Sequence, residues 1–149
     1  MTRPRLRAED VKIFTDAALG FFAQTTGHRA NVRTAYLMDH DAPAVWSDFH
    51  GRIDLGGRYR GNVTFAAPRA LLTHVLLSIG ESDYTDASHR DIVGEIANQM
   101  SGQARSHFGE AMDISPPRVI DRDQARHEAR QRQAQGMVPF VIPVQWDRY

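Results

Sequence analysis

The chain has 149 residues, a formal net charge of zero and no cysteine. This length suits one domain with a real core, and the lack of cysteine excludes disulfides, thiolate zinc sites and thiol nucleophiles. A neutral chain is a poor partner for nucleic acid or an anionic membrane surface, so neither partner is expected. No segment approaches the roughly 20 apolar residues of a membrane span, and no apolar run of secretory type follows the N-terminus. We therefore expect a cytoplasmic protein.

The N-terminal third is predicted to contain a helix and a strand. Residues 1–8 form an Arg-rich segment that we expect to be a mobile arm, and residues 9–149 are predicted to form a single domain. From Glu9 to about Thr25 the apolar residues recur at helical spacing, which predicts a core-facing helix. The β-branched and aromatic residues of Asn31–Met38 predict a strand, which turn-forming residues at 39–43 should end.

The middle of the chain predicts a hairpin and a short helix. Trp46–Leu55 alternates loosely as a strand, the glycine pair 56–57 marks a turn, and Tyr59–Ala66 is the returning strand. Pro68 is placed at a plausible first helical position. The Leu-rich segment after it predicts a short buried helix that ends at Gly80.

The C-terminal half is predicted to contain one long helix and more extended structure. The helix should run from about Asp86 to about Phe108, followed by a short extended segment at Val119 and Ile120. Residues 121–135 are polar throughout, which fits a solvated helix and a mobile insert equally well. Met137–Trp146 alternates as a strand whose two prolines indicate an edge position. The predicted fold is α/β of the α+β kind, a mixed or antiparallel sheet packed against long helices.

Common catalytic and metal-binding motifs are missing. The seven histidines lack the helical or HxH spacing of a zinc site, and no HExxH, P-loop, GxGxxG or GxSxG motif occurs. Each histidine is expected at the surface or half-buried. The glycines at 51, 56, 57 and 61 are expected to serve hairpin geometry. We expect no metal site and no cofactor belonging to the chain itself.

The long helix has an unusual polar face. At about 100° per residue, Asp91, Glu95, Asn98 and Gly102 fall within roughly 60° of one another, opposite an apolar face. Asparagine and glycine are poor mid-helix residues, and two of them on one face indicate a docking surface with a placed amide. For Asp91 a second interpretation stays open, since Ser88-x-x-Asp91 fits a capping box if the helix begins at Ser88.

The pattern Asp91-x-x-x-Glu95-x-x-Asn98-x-x-x-Gly102 resembles the signature helix of the CheC/CheX/FliY phosphatases of bacterial chemotaxis. Its surroundings, DIVGEIANQMSGQARS, are similar in character, and the order of elements agrees over roughly residues 9–146. No register of the first helix carries a second Glu-x-x-Asn. The chain therefore resembles the single-motif CheX kind.

This resemblance implies a phosphatase for the aspartyl phosphate of a CheY-like response regulator, acting as a homodimer. Asn98 would orient the attacking water, as a glutamine does in small GTPases, and Glu95 would dock against a lysine of the receiver domain. Asp91 and Gly102 would contact the partner, and any Mg²⁺ would belong to the receiver. A non-catalytic docking or adaptor domain with the same face is the alternative, and a structural dimer module is a third possibility.

Overall fold

The computed structural model describes residues 6–38, 46–136 and 139–149. The predicted turn at 39–43 lies outside these residues, as do residues 1–5 of the expected arm and the first two residues of the expected terminal strand. Leu6 is half-buried against the core, and the first helix begins at Ala8.

Four helices and eight strands make up the described part of the chain. In order they are α1 (Ala8–Phe21), β1 (Ala30–Val32), β2 (Tyr36–Leu37), β3 (Phe49–Gly57), β4 (Gly61–Ala67), α2 (Arg69–Ser78), α3 (Asp86–Phe108), β5 (Met112–Ile114), β6 (Arg118–Asp121), α4 (Arg122–Gln133), β7 (Phe140–Val141) and β8 (Val144–Trp146). A π-helical turn, Phe22–Thr26, extends α1. The paired strands are antiparallel throughout the described residues. The α+β fold with an antiparallel sheet and long helices is therefore confirmed.

The central sheet is organised around β3. Strand β4 pairs along one side of β3, while β6 and β5 share the other side, β6 at Phe49–Arg52 and β5 at Leu55–Gly57. Successive side chains of a strand point to opposite faces. The odd residues Phe49, Ile53 and Leu55 are buried on the helix-covered face.

Helix α3 lies directly against that face of the sheet. A Cβ added at Gly51 would lie 2.9 Å from Val93 Cγ1 and 3.1 Å from the Val93 carbonyl oxygen. Gly51 is thus required by the close approach of α3 to β3, and the prediction that it serves hairpin geometry is wrong. Helices α1 and α2 pack against α3 in turn.

The opposite face of the sheet is covered in part by α4. The even residue Arg52 of β3 contacts Glu128 of α4 at 2.5 Å, and both side chains are only 14% exposed. Of the two interpretations of residues 121–135, the helix is confirmed. Asp121 caps it, because its side chain accepts a hydrogen bond from the Gln124 N–H at 2.9 Å.

The predictions for the hairpin and the short helix need small corrections. Strand β3 runs through Gly56 and Gly57, and the turn falls on residues 58–60. Pro68 occupies the N-cap position of α2 and is not its first helical residue. The long helix Asp86–Phe108 is confirmed. Strand β5 was not predicted.

The segments predicted as strands at 31–38 and 137–146 each form two short strands. Together they build a two-stranded ribbon in which β1 pairs with β8 and β2 with β7. Between these pairs, residues 33–35 lie opposite residues 142–143, and this mismatch of one residue breaks the ladder. Pro143 lies at the break, where its carbonyl accepts a hydrogen bond from the Arg33 N–H at 2.8 Å.

Among the described residues, no helix is long and apolar enough to cross a membrane.

Candidate functional site

The functional face predicted on α3 depends on where that helix begins. Thr85 caps the helix, since its hydroxyl accepts a hydrogen bond from the Ser88 N–H at 3.3 Å. Asp86 is the first helical residue and pairs with Arg69 of α2 at 2.5 Å. The Arg69 hydrogen bond lowers the pKa of Asp86. The helix does not begin at Ser88, so the capping-box interpretation of Asp91 is wrong.

His89 fixes the first turns of α3 inside the protein. Its Nδ1 donates a hydrogen bond to the Thr85 carbonyl at 2.6 Å, and its Nε2 lies 2.7 Å from the Thr73 hydroxyl on α2. Its ring stacks on Phe49 with 5.8 Å between centroids. His89 is 1% exposed, so the prediction of surface or half-buried histidines is wrong for it.

The position of His89 along α3 carried a signal that could have revealed its burial. It lies four and seven residues before the buried Val93 and Ile96, which is the spacing of one helical face. His50 is buried as well, so the prediction of surface or half-buried histidines is wrong for His50 too, and burial lowers its pKa.

One side of α3 is buried almost completely against the sheet and the other helices. The buried residues are His89, Ile92, Val93, Ile96, Ala97, Met100, Ser101 and Ala104. Because packing fixes this side along the whole helix, the other side is presented on a rigid scaffold. A functional constellation gains precision when it is built on such an element.

The four residues predicted as the site lie together on the other side of α3. Asp91, Glu95, Asn98 and Gly102 are all exposed. Over the described residues, no hydrogen bond or salt bridge engages the side chains of Asp91, Glu95 or Asn98. Glu95 and Asn98 are three residues apart, so their side chains are neighbours on successive turns, about 4.5 Å apart along the axis. Both can contact the same bound group.

Gly102 leaves the surface of α3 open one turn beyond Asn98. A Cβ added there would have no heavy atom of the described structure within 4 Å. Packing within the chain therefore does not require glycine at this position, although glycine weakens a helix by about 1 kcal/mol relative to alanine.

Strands β5 and β6 form a border along one flank of the face. Arg90 donates a hydrogen bond to the Val119 carbonyl at 3.4 Å, and Arg105 donates one to the Ile114 carbonyl at 3.3 Å. Between them, a Cβ on Gly94 would lie 3.6 Å from Val119 Cγ2. Strands β5 and β6 are therefore in contact with α3 along one side of the face.

The four predicted residues of this face supply two carboxylates and an amide. An amide cannot accept a proton near neutral pH, so Asn98 can only orient a group by hydrogen bonding. Across the three described stretches, no group of three or more His, Cys, Asp or Glu side chains could hold a metal ion. The face is suited to docking and positioning more than to proton transfer.

The family of the chain follows from a match to the family model described as "Chemotaxis phosphatase CheX". The match covers residues 49–141, more than half of the chain, and includes all of α3. The chain belongs to this CheX family of chemotaxis phosphatases, and the resemblance inferred from the α3 motif is confirmed. A comparison with curated proteins found no match.

Solved structures with the same fold come from several bacteria. The chain is similar to a chemotaxis protein CheX from Desulfovibrio desulfuricans at 19% identity, with 94% of this chain and 93% of that chain covered and a TM-score of 0.66. CheX from Vibrio vulnificus is 22% identical, with 76% and 78% covered and a TM-score of 0.64. A chain of the CheX–CheY–BeF3–Mg²⁺ complex from Borrelia burgdorferi is 18% identical, with 77% and 78% covered and a TM-score of 0.56. At these identities the likeness establishes the fold.

Proposed function

We propose that this protein dephosphorylates the aspartyl phosphate of a CheY-like response regulator receiver domain. The observation that carries the proposal is the exposed pair Glu95 and Asn98, free of partners among the described residues, on a rigid helix of a CheX-family chain. The structural relative from Borrelia burgdorferi is a CheX–CheY complex with BeF3 and Mg²⁺, which supports a receiver as the partner.

Asn98 positions the water in this proposal. Its amide oxygen accepts a hydrogen bond from the water, and its amide N–H₂ donates to a phosphoryl oxygen. The water oxygen attacks phosphorus in line, and the bond from phosphorus to the receiver's aspartate oxygen breaks. The products are inorganic phosphate and the free aspartate carboxylate. Because Asn98 holds the water in place before the attack, the entropic cost of positioning the water no longer adds to the reaction barrier. Such positioning raises the rate by about two orders of magnitude or more.

The remaining residues of the face bind the partner. Glu95 pairs with a lysine of the receiver and holds Asn98 over the phosphoryl group. Asp91 contacts the partner at the start of the face, and Gly102 admits the partner's backbone. Any Mg²⁺ at the phosphoryl group would belong to the receiver and would neutralise negative charge there, and the proposal requires no metal or cofactor of this chain.

Phosphate release from purified receiver domains tests the role of Asn98. Wild-type protein should accelerate release from its cognate phosphorylated receiver, and Asn98→Ala should lower the rate about 100-fold at saturating receiver. Gln99→Ala is the matched control, because Gln99 is an exposed amide next in sequence that points about 100° away. Equal rates for the two variants would contradict the assignment.

The same measurements separate catalysis from docking alone. A non-catalytic adaptor would bind the activated receiver and give no faster phosphate release, and Asn98→Ala would leave its binding unchanged. Glu95→Ala should weaken binding in both cases, since Glu95 is assigned to docking.

We further propose that the protein is a cytoplasmic homodimer. Its proposed substrate is a cytoplasmic signalling domain. The two-stranded ribbon carries the exposed apolar residues Val32, Tyr36, Leu37 and Phe140, and a second copy of the chain is the proposed occupant of that surface.

A further inference from the structure

Arg105 lies on the same face of α3 as the proposed site and has no role in the functions assigned above. It follows Asn98 by seven residues, close to two helical turns, and Gly102 by three. Its side chain is exposed. It points within about 40° of the direction of Asp91 around the helix. Arg105 therefore ends the line of residues that begins with Asp91.

The charge of Arg105 is not compensated within the described chain. Its side chain donates a hydrogen bond to the neutral Ile114 carbonyl at 3.3 Å, and no carboxylate of the described residues lies within 4.0 Å. Other arginines have such partners: Arg52 pairs with Asp54 and Glu128, Arg69 with Asp86, Arg118 with Glu128, and Arg122 with Asp48. The cation is available to an external anion.

The backbone dipole explains only part of this arrangement. A cation in the last turn of a helix interacts favourably with the helix dipole, and Arg105 lies in the last turn of α3. That effect does not depend on which side of the helix the cation occupies. The hydrogen bond to the Ile114 carbonyl places the Arg105 guanidinium at the β5 flank of the face, close to one helical turn beyond Gly102.

We propose that Arg105 is a second docking residue, which binds a carboxylate of the receiver and sets the direction in which the receiver docks. The inference rests on the proposed function of the same face. Glu95 and Arg105 have opposite charges about 15 Å apart along the helix axis. A receiver must therefore present a cation and an anion in that order, with the phosphoryl group between them. Reversed docking brings like charges together, and receivers without the carboxylate bind more weakly.

The test uses the receiver that responds to wild-type protein in a panel of purified CheY-like receivers. Arg105→Gln should raise KM about five-fold with kcat unchanged, which corresponds to the upper range for an exposed ion pair. The dependence of KM on ionic strength should weaken in the same variant. Arg105→Lys keeps the charge and should retain most of the affinity.

Arg130→Gln is the matched control. Arg130 is an exposed arginine in the last turn of α4, on the other side of the central sheet. Like Arg105→Gln, the Arg130→Gln substitution removes one positive charge from the last turn of a helix. Its KM should remain at the wild-type value. Equal KM values for Arg105→Gln and Arg130→Gln would overturn the inference, as would a loss confined to kcat, which would assign Arg105 to the phosphoryl group.

Binding to the same receivers activated with beryllofluoride separates this inference from the proposed function. If wild type binds without accelerating phosphate release and Arg105→Gln binds about five-fold more weakly, docking by Arg105 stands and the phosphatase proposal fails. If wild type accelerates release and Arg105→Gln binds normally, the phosphatase proposal stands and the inference fails. If no receiver binds, both fail.

Discussion

Gly102 is the residue at which stability and proposed function conflict most directly. It lies in the interior of α3, has no positive φ, and has open space where a side chain would be. Alanine is the better residue for an exposed helix interior by about 1 kcal/mol. The fold does not require glycine at this position, but a partner that approaches the backbone of α3 closely can require it.

Replacing Gly102 by alanine should therefore have opposite effects on folding and on turnover. The free energy of unfolding should rise by about 0.5–1 kcal/mol, while KM for the phosphorylated receiver should rise several-fold because the methyl group occupies the surface of α3. Urea unfolding and phosphate release measure the two effects.

Gly20→Ala is the control for this substitution. Gly20 lies in α1, and a Cβ there also meets no heavy atom within 4 Å. It should stabilise the protein without changing KM. Unchanged turnover in Gly102→Ala would remove Gly102 from the docking surface.

Among the helices, α3 could be predicted closely and α4 could not. Helix α3 has a wide apolar side along its whole length, so the helical spacing alone placed its ends close to Asp86 and Phe108. Helix α4 has one buried residue, Ala125, and its attachment depends on Arg52, which lies 76 positions earlier in the sequence than Glu128. Pairing between such distant residues leaves no local pattern. For the same reason β5, a strand of three residues that pairs with the end of β3, was not predicted.

Glu128 should account for much of the stability of α4 and its dependence on pH. Burial raises the pKa of Glu128, but hydrogen bonds from Arg52, Gln124 and Arg118 and the charge of Arg52 outweigh burial and leave its pKa below the ordinary value. The carboxylate thus stabilises the folded state above the unfolded pKa of about 4.3. That stabilisation is lost as the pH falls through the lower folded pKa.

Glu128→Gln should destabilise the protein by about 2 kcal/mol at pH 7, because Arg52 is mostly buried and would keep only Asp54 as a partner. The difference from wild type should shrink as the pH falls below about 4. Urea unfolding at several pH values measures this. Asp123→Asn, on the exposed side of the same helix, should show a far smaller difference, and equal losses would contradict the role of Glu128.

At the scale of the whole molecule, the proposed site and the proposed dimer surface lie on different elements. Every residue of the site is on α3, while the exposed apolar residues of the ribbon are on β1, β2 and β7. The sequence predicted the apolar alternation of the terminal strand. It did not predict the break between the two strand pairs, because the ribbon pairs segments more than 100 positions apart. A site confined to one helix does not need the second subunit.

Disrupting the ribbon should therefore separate the subunits without stopping the reaction. Leu37 is 69% exposed on β2, and Leu77 is 58% exposed on α2. Leu37→Ser removes apolar area from both copies in a symmetric dimer and should raise the dimer dissociation constant at least about 10-fold. Leu77→Ser should leave it unchanged.

Analytical ultracentrifugation gives the dimer dissociation constants, and phosphate release at low concentration should show full turnover per chain for the Leu37→Ser monomer. A wild-type protein that sediments as a monomer, or a Leu37→Ser variant that dimerises normally, would contradict the ribbon as the dimer surface.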